Sequence, residues 1–517
     1  MLCKRLKICV LHILNEMKRI LNLEKEIAKK EVSKKEKFKG EIVEKKRDLA
    51  IIRFNKPVKA GKTLGYFKDE KLLNYGYVLA KDGEFALVRR FTTDNPDEFL
   101  ECENLSLYDV QIELLSKFDP KKLVPFKNFD KLRAIKSNNL DKWQSIALSA
   151  TLEMKDNQFL LIVGPPGTGK TRFISEAAKK VNGKVLVTSH TNRAVDNVLE
   201  KFSEKNKVRI GHFNRNNKNL EDLESILEFE KTIKRKVKDA KVVGATLMKC
   251  AFFNFPEKFE YVFIDEASQT TISEVLSAIF NGKRIVLVGD PFQLPPILKC
   301  EKSERFSAFN FFYRKSKKAI WLRTHYRSNS EIIGFSSKYI YGRKIKAHES
   351  CKNVYLEIKK DPKRFHSIVD PYLPVVFVIV SGVEKMVGKS KINKKEAEMC
   401  FKLCEELNRC GIKDIGVITP YIEQKNLIRD LTQNLPVEVD TVDAFQGREK
   451  DVIIYSFVSS NNIEFSSNWR RFNVAITRAK KKLIVISNLS AINNGKNTLL
   501  YKFYKYTKNK NSVFYVG

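Results

Sequence analysis

Lys170 and Thr171 close an octet, Gly164-Pro-Pro-Gly-Thr-Gly-Lys-Thr171, in which Gly164, Pro165, Pro166, Gly167, Thr168 and Gly169 lead up to them. Glycine-rich backbone can curl until successive N–H groups point at one anion. A lysine at this spacing adds a point charge toward the β- and γ-phosphates of a nucleotide, and the threonine hydroxyl suits Mg²⁺. Asp265 and Glu266 follow the apolar run Tyr261 to Ile264. Acids at the tip of an apolar strand are costly unless they have a role. Asp265 can hold magnesium, and Glu266 can activate an attacking water. Gly289-Asp-Pro-Phe-Gln-Leu-Pro-Pro296 follows the next apolar run and places Gln293 to sense a γ-phosphate or orient water. Arg327 and Arg478 come later in the chain. Arginines facing a transferring phosphoryl group are worth roughly 10³–10⁵ in rate. Together these residue types predict hydrolysis of ATP with Mg²⁺ as cofactor.

Such residues need a scaffold that brings strand ends and loops together. The octet directly follows Phe159-Leu-Leu-Ile-Val163 and precedes a helical run, Arg172 to Lys180. Val185 to Val187, Tyr261 to Ile264 and Ile285 to Val288 continue the alternation of apolar run and helical stretch. Runs of that kind suit strands buried on both faces of a parallel sheet. A second series follows Ala319: Val375 to Val380, Ile415 to Ile418, Val452 to Tyr455 and Leu483 to Ile486. Two tandem doubly wound α/β units are expected, meeting near Asn310 to Lys318. Upstream, residues 1–36 alternate Leu and Ile with Lys and Glu at helical spacing, which predicts one or two amphipathic helices. Leu49 to Phe54, Tyr77 to Ala80 and Phe85 to Val88 read as short strands punctuated by Gly and Asp, as in a small β-barrel. Helical patterning returns from Val110 to about Ala134.

At 517 residues the chain has room for roughly two to four domains. Its net charge of +35 favours a polyanion as partner, with nucleic acid ahead of a membrane surface. The bias is local as well: from Phe465 onward there is no Asp or Glu, while Arg470, Arg471, Arg478 and Lys480 to Lys482 fall there. No window of 18 uncharged apolar residues occurs, so no membrane span is expected, and the first residues make a poor secretory signal. The nine cysteines never form Cys-x-x-Cys. Cys400, Cys404 and Cys410 are the only cluster, and buried thiols in a reduced, cytoplasmic compartment are expected.

Taken in order, the motifs resemble superfamily 1 helicases of the Upf-like group. They run Leu140-Asp-Lys-Trp-Gln144; Gly164 to Thr171; Thr188-Ser-His-Thr-Asn-Arg-Ala-Val-Asp196; Gly244-Ala-Thr246; Asp265-Glu-Ala-Ser-Gln269; and Gly289 to Pro296. Then come His325-Tyr-Arg-Ser328; Thr419-Pro-Tyr421; Val439-Asp-Thr-Val-Asp-Ala-Phe-Gln-Gly-Arg-Glu-Lys-Asp451; and Asn473-Val-Ala-Ile-Thr-Arg-Ala-Lys480. That group includes the nonsense-transcript regulator, the immunoglobulin mu-binding helicase and the replication helicase–nuclease.

The resemblance implies an α/β fold of two RecA-like P-loop domains with an N-terminal helical stalk and a small β-barrel. Its parts would be stalk helices at 1–36, the barrel at 37–110, stalk or linker helices at 111–136, RecA-like domain one at 137–315 and domain two at 316–517. It also implies that Gln144 reads the adenine edge, that Tyr326 stacks on the base, and that Arg327 and Arg478 are arginine fingers. Glu449 would lie near the ribose and couple ATP to the nucleic-acid groove. Ser189, Asn192, Thr246, Thr419, Pro420 and Thr441 lie in motifs that hold the strand backbone, where small hydroxyls and amides bond phosphate and sugar without reading sequence. The expected activity is ATP-dependent translocation on single-stranded RNA or DNA, 5′ to 3′ by family likeness, with duplex unwinding, by a monomer. The alternative is an ATP-switched clamp or remodeller without processive unwinding, suggested by the short segment between Gly211 and Val242. The family's Cys/His-rich, zinc-finger and nuclease modules are not matched, which reads as a motor core.

Overall fold

The chain is described by a computed structural model covering residues 2–32, 36–59, 62–89, 91, 96–103, 105–135, 137–211, 232–299 and 304–516. The expectation about a short segment between Gly211 and Val242 therefore falls largely outside the described residues. Packing divides the chain into two units. The first comprises Met1–Ile162, Thr171–Gly289 and Pro295–Ile320; the second comprises Val163–Lys170, Asp290–Leu294 and Trp321–Gly517.

The first unit opens with one helix, α1 (Leu2–Val32). Ile13, Leu14, Met17, Ile20, Leu21 and Ala28 recur at helical spacing, and all are buried. Six antiparallel strands follow: β1 (Gly40–Lys46), β2 (Leu49–Phe54), β3 (Thr63–Lys68), β4 (Lys71–Asp82), β5 (Phe85–Arg89) and β6 (Glu98–Cys102). Their order in the sheet is β1-β2-β5-β4-β3-β6. Just ahead of β1, Phe38 exchanges backbone hydrogen bonds of 2.9 and 2.8 Å with Phe99 of β6, so the two ends of the sheet meet. Phe54, Tyr66, Phe91 and Phe99 fill its interior with edge-to-face ring contacts.

Helix α2 (Leu105–Lys117) packs against α1 and the helix Ile272–Ile279. The helical pattern expected to run on to about Ala134 stops at Lys117, a correction to the reading of 111–136 as helices. Pro120 explains it: proline lacks the N–H a helix needs and pushes the residue before it toward extended backbone. Beyond it the chain is held by backbone pairs, Val124 N to Asn157 O at 2.8 Å and Phe126 N to Phe159 O at 2.9 Å. A single 3₁₀ turn, Phe129–Lys131, is the only helical piece between Lys117 and Asp141 among the described residues.

The rest of the first unit is a doubly wound sheet. Its strands run in the order Lys207–Arg209, Val242–Thr246, Val185–Ser189, Phe259–Ile264, Gly282–Gly289 and Gln158–Val163. Val124–Pro125 pairs in parallel with the last, and Ile320–Trp321 lies at the far edge, where the chain passes into the second unit. Val185–Ser189, Phe259–Ile264 and the apolar half of Gly282–Gly289 are buried nearly throughout, as continuous apolar runs predict. Helices α3 (Lys142–Leu152), α4 (Lys170–Lys180) and α5 (Asn192–Leu199) are the first three of this region.

The second unit holds a six-stranded sheet with every neighbouring pair parallel: Val437–Thr441, Ile415–Thr419, Lys450–Ser456, Ala479–Ser487, Val375–Val380 and Val513–Val516. All four strands expected from the second apolar series are present. The outer strands Val437–Thr441 and Val513–Val516 were not expected, because half-exposed edge strands lack the long apolar run. One core packs Val376, Val378, Ile454 and Ile484 under Cys400, Cys404 and Leu403 of the helix Lys394–Arg409. Cys400, Cys404 and Cys410 are buried free thiols, as expected, and the first two lie in this core. Among the described residues no helix is long and apolar enough to cross a membrane.

Candidate nucleotide site and strand-contact residues

The octet leaves the buried strand Gln158–Val163 and enters α4 at Lys170. Gly167 and Gly169 carry φ of +68° and +76°, conformations that a side chain makes costly. Thr168 is buried, and its hydroxyl donates to Pro165 O at 2.7 Å, which tightens the turn. The Lys170 ammonium reaches back across the loop to Gly164 O at 3.0 Å. The loop segment packs with the second unit. Tyr326 N donates to Gly167 O at 2.8 Å, and Leu322 N donates to Val163 O at 2.9 Å.

His325 makes the closest of these contacts. Its Nε2 accepts the Ser328 N–H at 2.8 Å, so Nδ1 carries the proton and donates to Pro166 O at 2.6 Å. Burial, with the Arg327 guanidinium second, lowers its pKa to about 3. The imidazole is therefore a neutral tether between the loop and the segment that carries Arg327. In the sequence His325 is only the first residue of the motif that carries Arg327; the fold alone shows what its two nitrogens face.

Arg327 Nε forms an ion pair with Glu449 Oε2 at 2.5 Å, and its Nη1 donates to Thr477 O at 3.3 Å. Arg478 is buried, with Nε donating to Val474 O at 2.9 Å and Nη2 to Gln293 Oε1 at 3.3 Å. Gln293 Nε2 in turn donates to Asp290 Oδ2 at 2.9 Å. The same oxygen accepts the Tyr341 hydroxyl at 2.7 Å, and Asn473 Nδ2 donates to that hydroxyl at 2.9 Å. Burial raises the Asp290 carboxyl, opposed by the Lys170 charge and the bonds from Tyr341, Gln293 and the Phe292 N–H. Gln293, Arg478 and Asn473 thus belong to one buried hydrogen-bonded network. Asp290 and Tyr341, its hub, had no role assigned from sequence.

In the first unit, Asp265 is buried and its Oδ1 accepts the Glu266 N–H at 2.9 Å. Glu266 has φ of +52°, unusual for a residue with a side chain. Gln269 Nε2 donates to Glu266 Oε2 at 2.8 Å and fixes the carboxylate's direction. Thr171, in the first turn of α4, is half-buried. A glycine-curled loop ending in a lysine suits a nucleotide's phosphates, and a hydroxyl and a carboxylate oxygen are hard donors of the kind Mg²⁺ takes. Gln144 forms a capping box with Asp141: its Oε1 accepts the Asp141 N–H at 3.2 Å, and its own N–H donates to Asp141 Oδ1 at 2.8 Å. The Tyr326 ring lies 4.7 Å from the His348 ring.

The residues assigned to the strand backbone fall into register. Ser189 pairs with Thr246 at the C-terminal ends of two adjacent parallel strands in the first unit. Thr419 pairs with Thr441 at the same place in the second. Ser189 Oγ and Thr419 Oγ1 are buried with no hydrogen-bond partner among the described residues. Thr246 caps the next helix, its hydroxyl accepting from Lys249 N at 3.4 Å. Asn192 opens α5 and accepts from Arg209 Nη2 at 2.7 Å, and Pro420 is buried directly after Thr419.

Two families, each described as an AAA domain, match the chain: one at residues 139–229 and 211–301, the other at 305–490. An ATP-dependent helicase of Methanocaldococcus jannaschii is 30% identical over 460 residues, covering 69% of this chain and 69% of that protein. The DNA replication ATP-dependent helicase/nuclease DNA2 of Xenopus laevis is 33% identical over 403 residues, covering 68% of this chain. This chain spans only 38% of the frog protein's length. Among solved structures, the complex of an arterivirus nonstructural protein 10 (helicase) with DNA is similar at a TM-score of 0.44 and 13% identity, covering 86% of this chain and 80% of that chain. The two parallel sheets are those of an α/β protein. The chain belongs to the ATP-dependent helicases of superfamily 1, and matches their motor core.

Proposed function

We propose that the chain is an ATP-driven motor that moves along single-stranded RNA or DNA, 5′ to 3′ by family likeness, and separates duplexes. The observation that carries this reading is the register of Ser189 with Thr246 and of Thr419 with Thr441. Each unit ends two adjacent parallel strands in a pair of small hydroxyl residues, the edge where open α/β sheets take ligands. Hydroxyls bond phosphate and sugar without reading bases, as a strand-tracking protein requires. Asn192 and Pro420 flank these pairs in the same role.

Lys170 meets the β- and γ-phosphates, with Gly164 to Gly169 supplying backbone N–H groups. Glu266, aimed by Gln269, takes the proton of the attacking water. Gln293 orients that water, and Arg327 and Arg478 stabilise the charge that develops on the γ-oxygens. Gln144 and Tyr326 hold the adenine, and Glu449, paired with Arg327, couples the nucleotide to the strand motifs. Magnesium held by Thr171 and Asp265 would supply charge neutralisation between the phosphates. The six antiparallel strands closed by Phe38 and Phe99 form the small barrel, and α1 and α2 form its stalk. The motor acts as a monomer in the cytoplasm.

The test is ATP turnover with matched RNA and DNA oligonucleotides at one salt concentration, beside a strand-displacement assay on tailed duplexes. Stimulation by either strand together with displacement is expected. Turnover that no single strand stimulates overturns the reading.

A further inference from the structure

The second unit carries a hairpin that neither the parallel sheet nor the nucleotide chemistry uses. Lys385–Val387 and Ser390–Ile392 pair antiparallel around Gly388, whose φ is +56°. A lone two-stranded hairpin is marginal in water, yet this one is firmly tied. Lys391 Nζ donates to Asn462 O at 2.8 Å. The Glu384 carboxylate, just ahead of the hairpin, accepts the N–H groups of Ser460 at 2.8 Å and Asn461 at 3.2 Å. Hairpin, the loop around Asn462 and the start of the helix Ile422–Leu431 enclose a groove of about 720 Å³ that reaches Pro420.

The groove's surface is apolar and open. Met386 is 62% exposed, Ile422 58% and Phe465 45%. Contiguous apolar exposure of this kind marks a contact surface. The Phe465 ring lies 5.4 Å from the Tyr421 ring, and the Arg471 guanidinium stands 4.2 Å from the Phe465 ring centroid. Arg471 is also paired with Asp443 at 3.3 Å, inside the motif that supplies Thr441. Lys385 and Lys389 are exposed on the hairpin. Glu423 is the one acid among the residues lining the groove, against Lys389 and Lys391.

We propose that this groove is the base-stacking platform of the motor, receiving bases of the single strand whose backbone Thr419 and Pro420 hold, with Phe465 as the stacking ring and Met386 beside it. The proposal rests on the strand-tracking reading above. Its basis is continuity with Pro420 together with an aromatic and apolar floor rimmed by lysines, the combination by which proteins bind single strands without sequence preference.

Affinity for a fluorescent single-stranded oligonucleotide and for the same strand made abasic, measured by anisotropy across a salt series, tests it. Phe465→Ala should weaken binding of the normal strand roughly five- to hundred-fold. It should leave the abasic strand and the salt slope unchanged, because no phosphate contact is lost. Phe465→Trp should keep the affinity, and its fluorescence should be quenched by the normal strand but not by the abasic one. Equal loss on both strands, or no loss on either, overturns the platform while single-strand binding by the unaltered chain leaves the motor reading standing. Failure of the unaltered chain to bind any single strand removes both.

Discussion

On the proposed reading, Lys170 and Glu266 divide the chemistry between phosphate charge and water activation, and separate variants test that division. Lys170→Ala is expected to lose nucleotide binding. Glu266→Gln is expected to bind a fluorescent ATP analogue at near-normal affinity and to turn over ATP at least about a hundredfold more slowly, the usual scale for a lost general base. Equal affinity losses in the two variants would contradict that division. Gly167 is a second residue-scale case. A Cβ there would lie 2.6 Å from His325 Cε1 and 2.7 Å from Arg327 Cβ, in a conformation at φ +68°. Gly167→Ala should lower stability by more than about 1 kcal/mol and impair turnover by displacing Arg327, with thermal melting and ATPase rate as readouts.

At the scale of elements, the helix Lys394–Arg409 is pinned to its sheet by a buried acid. Glu396 accepts Ser456 Oγ at 2.7 Å and Val458 N at 2.8 Å, and Val458 has φ of +73°. Burial outweighs those bonds and raises the Glu396 pKa to about 8, from an ordinary 4.5. Between those values the folded chain keeps a proton that the unfolded chain has released. Glu396's contribution to stability is therefore complete below pH 4.5 and is lost as pH rises through about 8. Thermal melts across that window should show a decline that Glu396→Gln flattens. A wild-type and variant pair with parallel pH profiles would remove Glu396 as its source. The burial of Glu396 follows from which helix face meets the sheet, and that is settled only by the fold.

For the whole molecule, the charge of +35 should appear as salt-dependent binding. Single-strand affinity should be sequence-tolerant and fall on a log–log plot with a slope of about −0.7 per neutralised phosphate. A flat response would make the charge a matter of composition alone. On the proposed reading, Arg478 links that binding to ATP. Arg478→Ala leaves the phosphate loop intact, so nucleotide binding should survive in weakened form while turnover and unwinding fall together by orders of magnitude. Removing the guanidinium also leaves Gln293 Oε1 without its 3.3 Å partner, so Arg478→Lys separates charge from the forked geometry. Near-normal turnover in both variants would rule out a finger.

The sequence by itself determined the glycine-rich loop between strand and helix, the acidic pair at a strand tip, the ordered motifs and the main buried strands. These are local signals: glycine conformations, apolar runs and residue types at fixed spacing act within a few residues of one another. It also carried the hydroxyl residues of the strand motifs, though not their pairing. Tertiary structure alone decided that Ser189 stands beside Thr246 and Thr419 beside Thr441, because strand order in a parallel sheet is set by packing and not by spacing. The same holds for the His325 tether to Pro166, the meeting of Gln293 with Arg478, and the groove that joins Met386 to Phe465. Each of these pairs is far apart in the chain. Their contacts exist only once the core has chosen which faces to bury.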